Sequence, residues 1–180
     1  MLTFIKERLP YKKDAITVLL VCAFPIFVWS IIYTFFEIPA WLIRSTTWDL
    51  IGMIAYTQAI ALFESLTLWL FLIIICIVLP PKYFRDRFIA SSAIFVFTTT
   101  IWFILIHFND SKIRLWGGKE FLLWFCIYGI SIIIMYFLVF RLNKLESFII
   151  WVCEHLSILS TLYLFIGVFS FIIVIIRNLF

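Results

Sequence analysis

Five long stretches of this chain carry almost no charge, and short polar connections separate them. They run over residues 16–36, 51–79, 88–108, 121–140 and 148–176. Each is continuously apolar rather than alternating, which argues against the strands of roughly ten alternating residues that build a membrane β-barrel. A helix rises 1.5 Å per residue, so about 20 apolar residues cross a hydrocarbon core of roughly 30 Å. The pattern predicts an all-α fold, a polytopic transmembrane helical bundle of about five spans. It forms a single integral membrane domain over residues 1–180.

The punctuation between the spans is informative. Pro25 falls near the middle of the first span. It lacks an N–H and leaves the Val21 carbonyl without its helical donor, so a kink is expected there. Residues 37–49 read as a connection containing Pro39 and Arg44, with Trp41 and Trp48 as interfacial anchors. The stretch 51–79 is longer than the bilayer core requires and predicts tilt. Leu79-Pro80-Pro81 stops it. Gly117-Gly118 marks a turn within the loop 109–120. Residues 141–147 form a polar joint before the fifth span. A competing reading makes 141–155 a separate surface helix, because Leu142, Leu145, Ile149 and Val152 share one face. Residues 1–14, with Phe4, Ile5 and Leu9 among mixed charges, are expected at the headgroup level.

Composition sharpens the class. The chain is 66% hydrophobic and 13% charged, against roughly 45–50% and about 25% for a soluble domain. Localisation is therefore expected to be a multi-pass membrane, read as a plasma (inner) membrane, and membrane lipids are partners by construction. The net charge of +4 is scattered through the connections, with no basic run that would suit nucleic acid. Cys22, Cys76, Cys126 and Cys153 fall in four different apolar stretches without a CxxC pair, and read as small hydrophobes rather than ligands or disulfides. No cleavable signal peptide is expected, since the first apolar run is too long and lacks a small-residue cleavage site.

Glu64 is the candidate that chemistry would choose. It is the acid placed deepest in an apolar stretch, and an intramembrane carboxylate is a functional hypothesis by default. Thr57, Ala61 and Leu68 share its helical stripe, with Gln58 and Ser65 beside it. Thr98 and Thr99 lie near the midpoint of the third span, Tyr128 and Ser131 near that of the fourth, and Ser160, Thr161 and Tyr163 in the fifth. The expectation is a polar layer in which Glu64 faces other helices and hydrogen-bonds as a neutral carboxyl. The loop 109–120 is a second candidate, for a partner or for lipid headgroups, through Lys112, Arg114, Lys119 and Trp116. Trp29, Trp69, Trp102 and Trp124 lie inside spans and read as packing or lipid-facing bulk.

Other chemistry finds little support. Glu154 and His155 are adjacent and so point about 100° apart on a helix, and neither reaches the depth of Glu64. His107 and His155 sit at opposite ends of the bundle, which rules out a shared metal or a haem held between them. No nucleophile elbow, phosphate loop or HExxH is present. The expectation is a non-enzymatic protein without cofactor or metal. It would be a small structural, accessory or interaction subunit, in a homo-oligomer or a larger membrane complex. The alternative is a transporter or channel-like protein that uses Glu64 for proton or ion handling.

Orientation follows from counting cationic residues by side. Lys6, Arg8, Lys12, Lys13, Lys82, Arg85, Arg87, Arg141 and Lys144 fall on the N-terminal side, and Arg44, Lys112, Arg114, Lys119 and Arg177 on the other. The bias favours an N-terminus inside and a C-terminus outside. A reporter fused after Phe180 should be translocated and one inserted at Arg85 should stay cytoplasmic; the reverse labelling would overturn the topology.

Overall fold

The computed structural model describes residues 8–81 and 84–179. Residues 1–7, Lys82, Tyr83 and Phe180 lie outside the described residues, and with them the first half of the segment expected at the headgroup level. Among the described residues the fold is all-α. Helix α1 spans Lys12–Arg44 and α2 spans Thr47–Val78. A 3-10 turn, Arg85–Arg87, leads into α3, Phe88–Phe108. The short α4, Asp110–Ile113, precedes α5, Gly118–Arg141, and α6, Asn143–Leu179. Five of these, all but α4, are long and apolar enough to cross a membrane.

Local chemistry sets the boundaries. The Thr46 hydroxyl accepts the Asp49 N–H at 3.2 Å and donates to the Asp49 carboxylate at 2.7 Å, which caps the start of α2. At its other end Leu79 turns extended, the conformation imposed on a residue before proline. The expected third span agrees with α3 to the residue. Two connections differ from expectation. Residues 37–44 continue α1 through both Pro25 and Pro39, so only Ser45 and Thr46 separate α1 from α2. Each proline removes one backbone donor from a long helix, and the remaining ladder carries the helix past it.

The joint near 141–147 shrinks to Leu142, and α6 is one helix of 37 residues, roughly 55 Å long. The separate surface helix over 141–155 is thereby overturned. The first turns of α6 bury their own apolar residues, with Leu145, Ile149 and Ile150 packed on Ala90, Ile94 and Val139. Arg87 then ties three helix ends together. It bonds the Phe140 carbonyl at 3.2 Å and pairs with Glu146 at 3.1 Å. It also lies over the Phe140 ring at 4.8 Å.

α1, α2 and α6 pack against one another as a triad. α3 lies mainly against α1, and α5 lies outermost, touching α3 and α6. One core cluster joins Val18, Val21 and Cys22 of α1 to Leu72 and Cys76 of α2, Phe88 and Val96 of α3, and Cys153 of α6. Three cysteines read as separate small hydrophobes thus meet in one core, all of them free thiols. A second cluster sits at the triad junction, where Ala23 and Phe27 meet Ala61, Leu62 and Tyr163. Phe27 stacks on Tyr163 with centroids 5.9 Å apart.

Polarity runs opposite to that of a soluble protein. The buried polar residues are mainly small hydroxyls, and Ser65 and Ser160 bond carbonyls of their own helix at 2.7 and 2.8 Å. The exposed residues are Phe, Ile and Leu along every span, as a hydrocarbon solvent requires. α5 is the extreme case, with Val139 its one buried residue.

Small side chains set how closely the triad approaches. Cys153, Ser160 and Gly167 recur at seven-residue spacing on the buried face of α6. A Cβ on Gly167 would sit 2.8 Å from Phe27 Cζ and 3.0 Å from Leu62 Cβ. The ring tip can swing, but the Leu62 Cβ is fixed to its backbone. Gly167→Ala should therefore lower stability by about 1–3 kcal/mol, and adding Phe27→Leu should restore only part of it. Reversible unfolding in mixed micelles measures both, and full recovery by Phe27→Leu would show that Leu62 is not the obstacle.

Candidate functional site

The expected polar layer divides into separate clusters, and Glu64 belongs to none of them. Thr57 and Gln58 lie where α2 crosses α1. Gln58 Nε2 donates to Ser30 Oγ at 3.1 Å and to Thr34 Oγ1 at 3.4 Å. The Thr34 and Thr57 hydroxyls are 3.3 Å apart, and Thr57 donates to the Ile54 carbonyl at 2.8 Å. Gln58 Oε1 is buried without a hydrogen-bond partner. This is interhelical adhesion by uncharged groups, of the kind that holds membrane helices in register.

A second cluster joins α3 to α5. Thr99 Oγ1 lies 2.8 Å from Tyr128 Oη, and Trp102 Nε1 donates to Ser131 Oγ at 3.0 Å. Thr99 also bonds the Phe95 carbonyl at 2.7 Å, while Thr98, about 100° round the helix, is buried. These two bonds sit one helical turn apart and fix α5, which has little buried surface of its own. Beside them is a cleft of about 360 Å³ lined by Thr99, Trp102, Phe103, Ile106, Ile113, Trp116, Phe121, Trp124, Phe125 and Tyr128.

Glu64 is exposed on the outer surface of α2, between Phe63 and Thr67. It makes no hydrogen bond or ion pair with the described residues. The expectation that it faces other helices is overturned. The face that α2 turns inward carries Gly52, Ala55, Gln58, Ala59, Leu62 and Ser65. At 3.6 residues per turn Glu64 lies about 180° from Ala55 and about 160° from Leu62. Ala61 is the one member of the proposed stripe that is buried, at the edge of that inward face.

At the opposite end of the cleft from Tyr128, the loop 109–120 is largely exposed. Arg114 makes two bonds to the Asp110 carboxylate, at 3.0 and 2.8 Å. These hydrogen bonds hold the Asp110 carboxyl below the usual carboxylate range. Lys112 and Lys119 have no acidic partner among the described residues. Trp116 is half-buried, 5.7 Å from the Phe121 ring and 5.1 Å from Trp124. Glu154 and His155 are both exposed, and His155 Nδ1 contacts only the Trp151 carbonyl, at 2.8 Å. His107 stands edge-on to Trp29 at 4.9 Å.

One cluster had no counterpart in the sequence pattern. Arg177, near the end of α6, reaches the start of α2. It donates to the Trp48 and Asp49 carbonyls at 3.1 and 3.3 Å and pairs with the Asp49 carboxylate at 2.7 Å. A Cβ on Gly52 would overlap the guanidinium, so the absence of a side chain there makes the seat for Arg177. Comparison with protein-family models, curated proteins and solved structures finds no match.

The clamp yields a coupling prediction. Arg177→Ala should destabilise the bundle by about 1 kcal/mol, given its partly exposed partners. Gly52→Val displaces the same guanidinium, so the double variant should cost little more than the worse single one. Additive losses in a double-mutant cycle would show that Gly52 matters for something other than seating Arg177.

Proposed function

We propose that this protein is a structural or interaction subunit of a membrane assembly, and that the outer face of α2 at Glu64 seats a helix from a second polypeptide. The observation that carries the reading is the placement of Glu64. It lies within about 3 Å of the midpoint of α2 along the axis. It points outward among Ile60, Phe63 and Thr67, and none of the described residues covers it. An acid at mid-bilayer costs at least about 2.5 kcal/mol on insertion scales. A hydrogen-bonding group from another subunit offsets that cost, and the flat apolar surroundings offer packing for the rest of such a helix. A homo-oligomer satisfies the requirement as well as a larger complex does.

The transporter or channel reading has weaker support. An ion or proton route through the bundle needs its carboxyl turned inward, and the buried polar side chains among the described residues are hydroxyls and one amide. The N-in orientation proposed from the cationic bias fits the helix ends, because Arg8, Arg85, Arg87, Arg141 and Lys144 share one end of the bundle. Lys6 and Lys82, also counted there, lie outside the described residues.

Glu64→Gln keeps a carbonyl and a donor, and assembly should persist. Glu64→Leu removes both and should weaken association by about 1–2 kcal/mol, roughly 5- to 30-fold. Native mass spectrometry of complexes released from nanodiscs reads this directly. Wild-type assembly of Glu64→Leu would sink the proposal. Intact assembly of Glu64→Gln with abolished proton-coupled flux in liposomes would promote the transporter reading.

A further inference from the structure

The aromatic cleft between α3 and α5 has a different character from the face at Glu64. Its lining comes from the last three turns of α3, the first three of α5, and α4 with the residues after it. The volume of about 360 Å³ falls within the range of small-molecule sites. The walls are apolar, and the hydroxyls at the inner end, Thr99 and Tyr128, already satisfy each other. Three indoles form a chain of ring contacts in the lining. Trp102 meets Trp124 edge-on at 4.6 Å, and Trp124 meets Trp116 at 5.1 Å. Trp102 is anchored by Ser131, whereas the Trp116 and Trp124 N–H groups have no partner among the described residues.

The outer end of the cleft is where charge gathers. Lys112 and Arg114 flank Ile113, which lines the cleft, and Lys119 lies two residues before Phe121, which also lines it. Arg114 is neutralised by Asp110, so Lys112 and Lys119 against Glu120 leave the rim with one net positive charge. An apolar slot that starts near mid-span and ends at free ammonium groups and indole donors is complementary to one kind of ligand. That ligand is an amphiphile with a single alkyl chain's width of apolar body and an anionic, hydrogen-bond-accepting head.

We propose that this cleft is a binding site for an anionic phospholipid. One acyl chain lies against Trp102, Phe103, Phe125 and Tyr128, and the phosphate sits among Lys112, Lys119 and the Trp116 indole. The cleft is a partly open groove rather than an enclosed cavity, which suits a lipid exchanging with the surrounding bilayer better than an enclosed cofactor. The lipid also supplies packing to α5, the least buried of the five membrane-length helices.

The test uses purified full-length protein in nanodiscs containing equal phosphatidylglycerol and phosphatidylcholine, followed by native mass spectrometry. The expected result is one retained phosphatidylglycerol per chain in preference to phosphatidylcholine. A surface lysine contributes about fivefold to anionic-lipid binding, so Lys112→Ala with Lys119→Ala should reduce the preference roughly 25-fold. Both lysines are exposed, so folding is not at stake. A phosphatidylglycerol carrying a photoreactive group in its chain should label peptides 99–106 and 121–128. No preference in the wild type, a preference that survives the double lysine variant, or labelling confined to other helices would each overturn the proposal. So would crosslinks from position 116 that capture a protein and no lipid.

Discussion

The close approach of three helices at Gly167 is the constraint on which the bundle depends. In a hydrocarbon solvent, removing apolar side chains from lipid contributes little, so helices are held by dispersion contacts and by bonds between polar groups. Both fall off steeply with distance. With no side chain at 167, α6 comes near enough for Phe27 to lie across it and stack on Tyr163, and for Leu62 to close the junction. The same spacing lets Gln58 reach Ser30 and Thr34 one layer away, and lets Arg177 settle on Gly52 at the bundle's end. The polar bonds follow from the packing rather than causing it. They specify which rotation of each helix is used once the backbones are close.

The spans were legible in the sequence because hydropathy reports length directly. α3 runs between charged or polar flanks on both sides, and its limits read off to the residue. α1 was harder, since Glu37, Pro39 and Arg44 look like a connection. A helix can leave the hydrocarbon and remain a helix, and hydropathy is blind to that continuation. The same blindness hid the extension of α6 back through Glu146 to Asn143, ahead of the span read over 148–176.

Rotation about the helix axis was the larger gap. α2 is apolar almost all round, so no amphipathic stripe shows which face is buried. Polarity drew Glu64 into the buried face; side-chain size would have suggested Gly52, Ala55, Ala59, Ala61 and Ser65, which is the face the structure uses. In lipid, smallness marks the interior more reliably than polarity does. The Arg177 clamp and the cleft of Trp102, Trp116 and Trp124 could not be read at all. They join residues from distant helices, and no spacing along one helix encodes them.

The membership of the core triad has a consequence for synthesis. α1 and α2 emerge together, but their third partner follows about 140 residues after Phe27. At translation rates of roughly 5–20 residues per second, that is a wait on the order of ten seconds. During it the junction around Ala23, Phe27 and Leu62 faces lipid or the insertion machinery, and α3 and α5 are laid down around a bundle that lacks its centre. Until α6 is complete, the groove between α1 and α2 that it fills lacks its third wall.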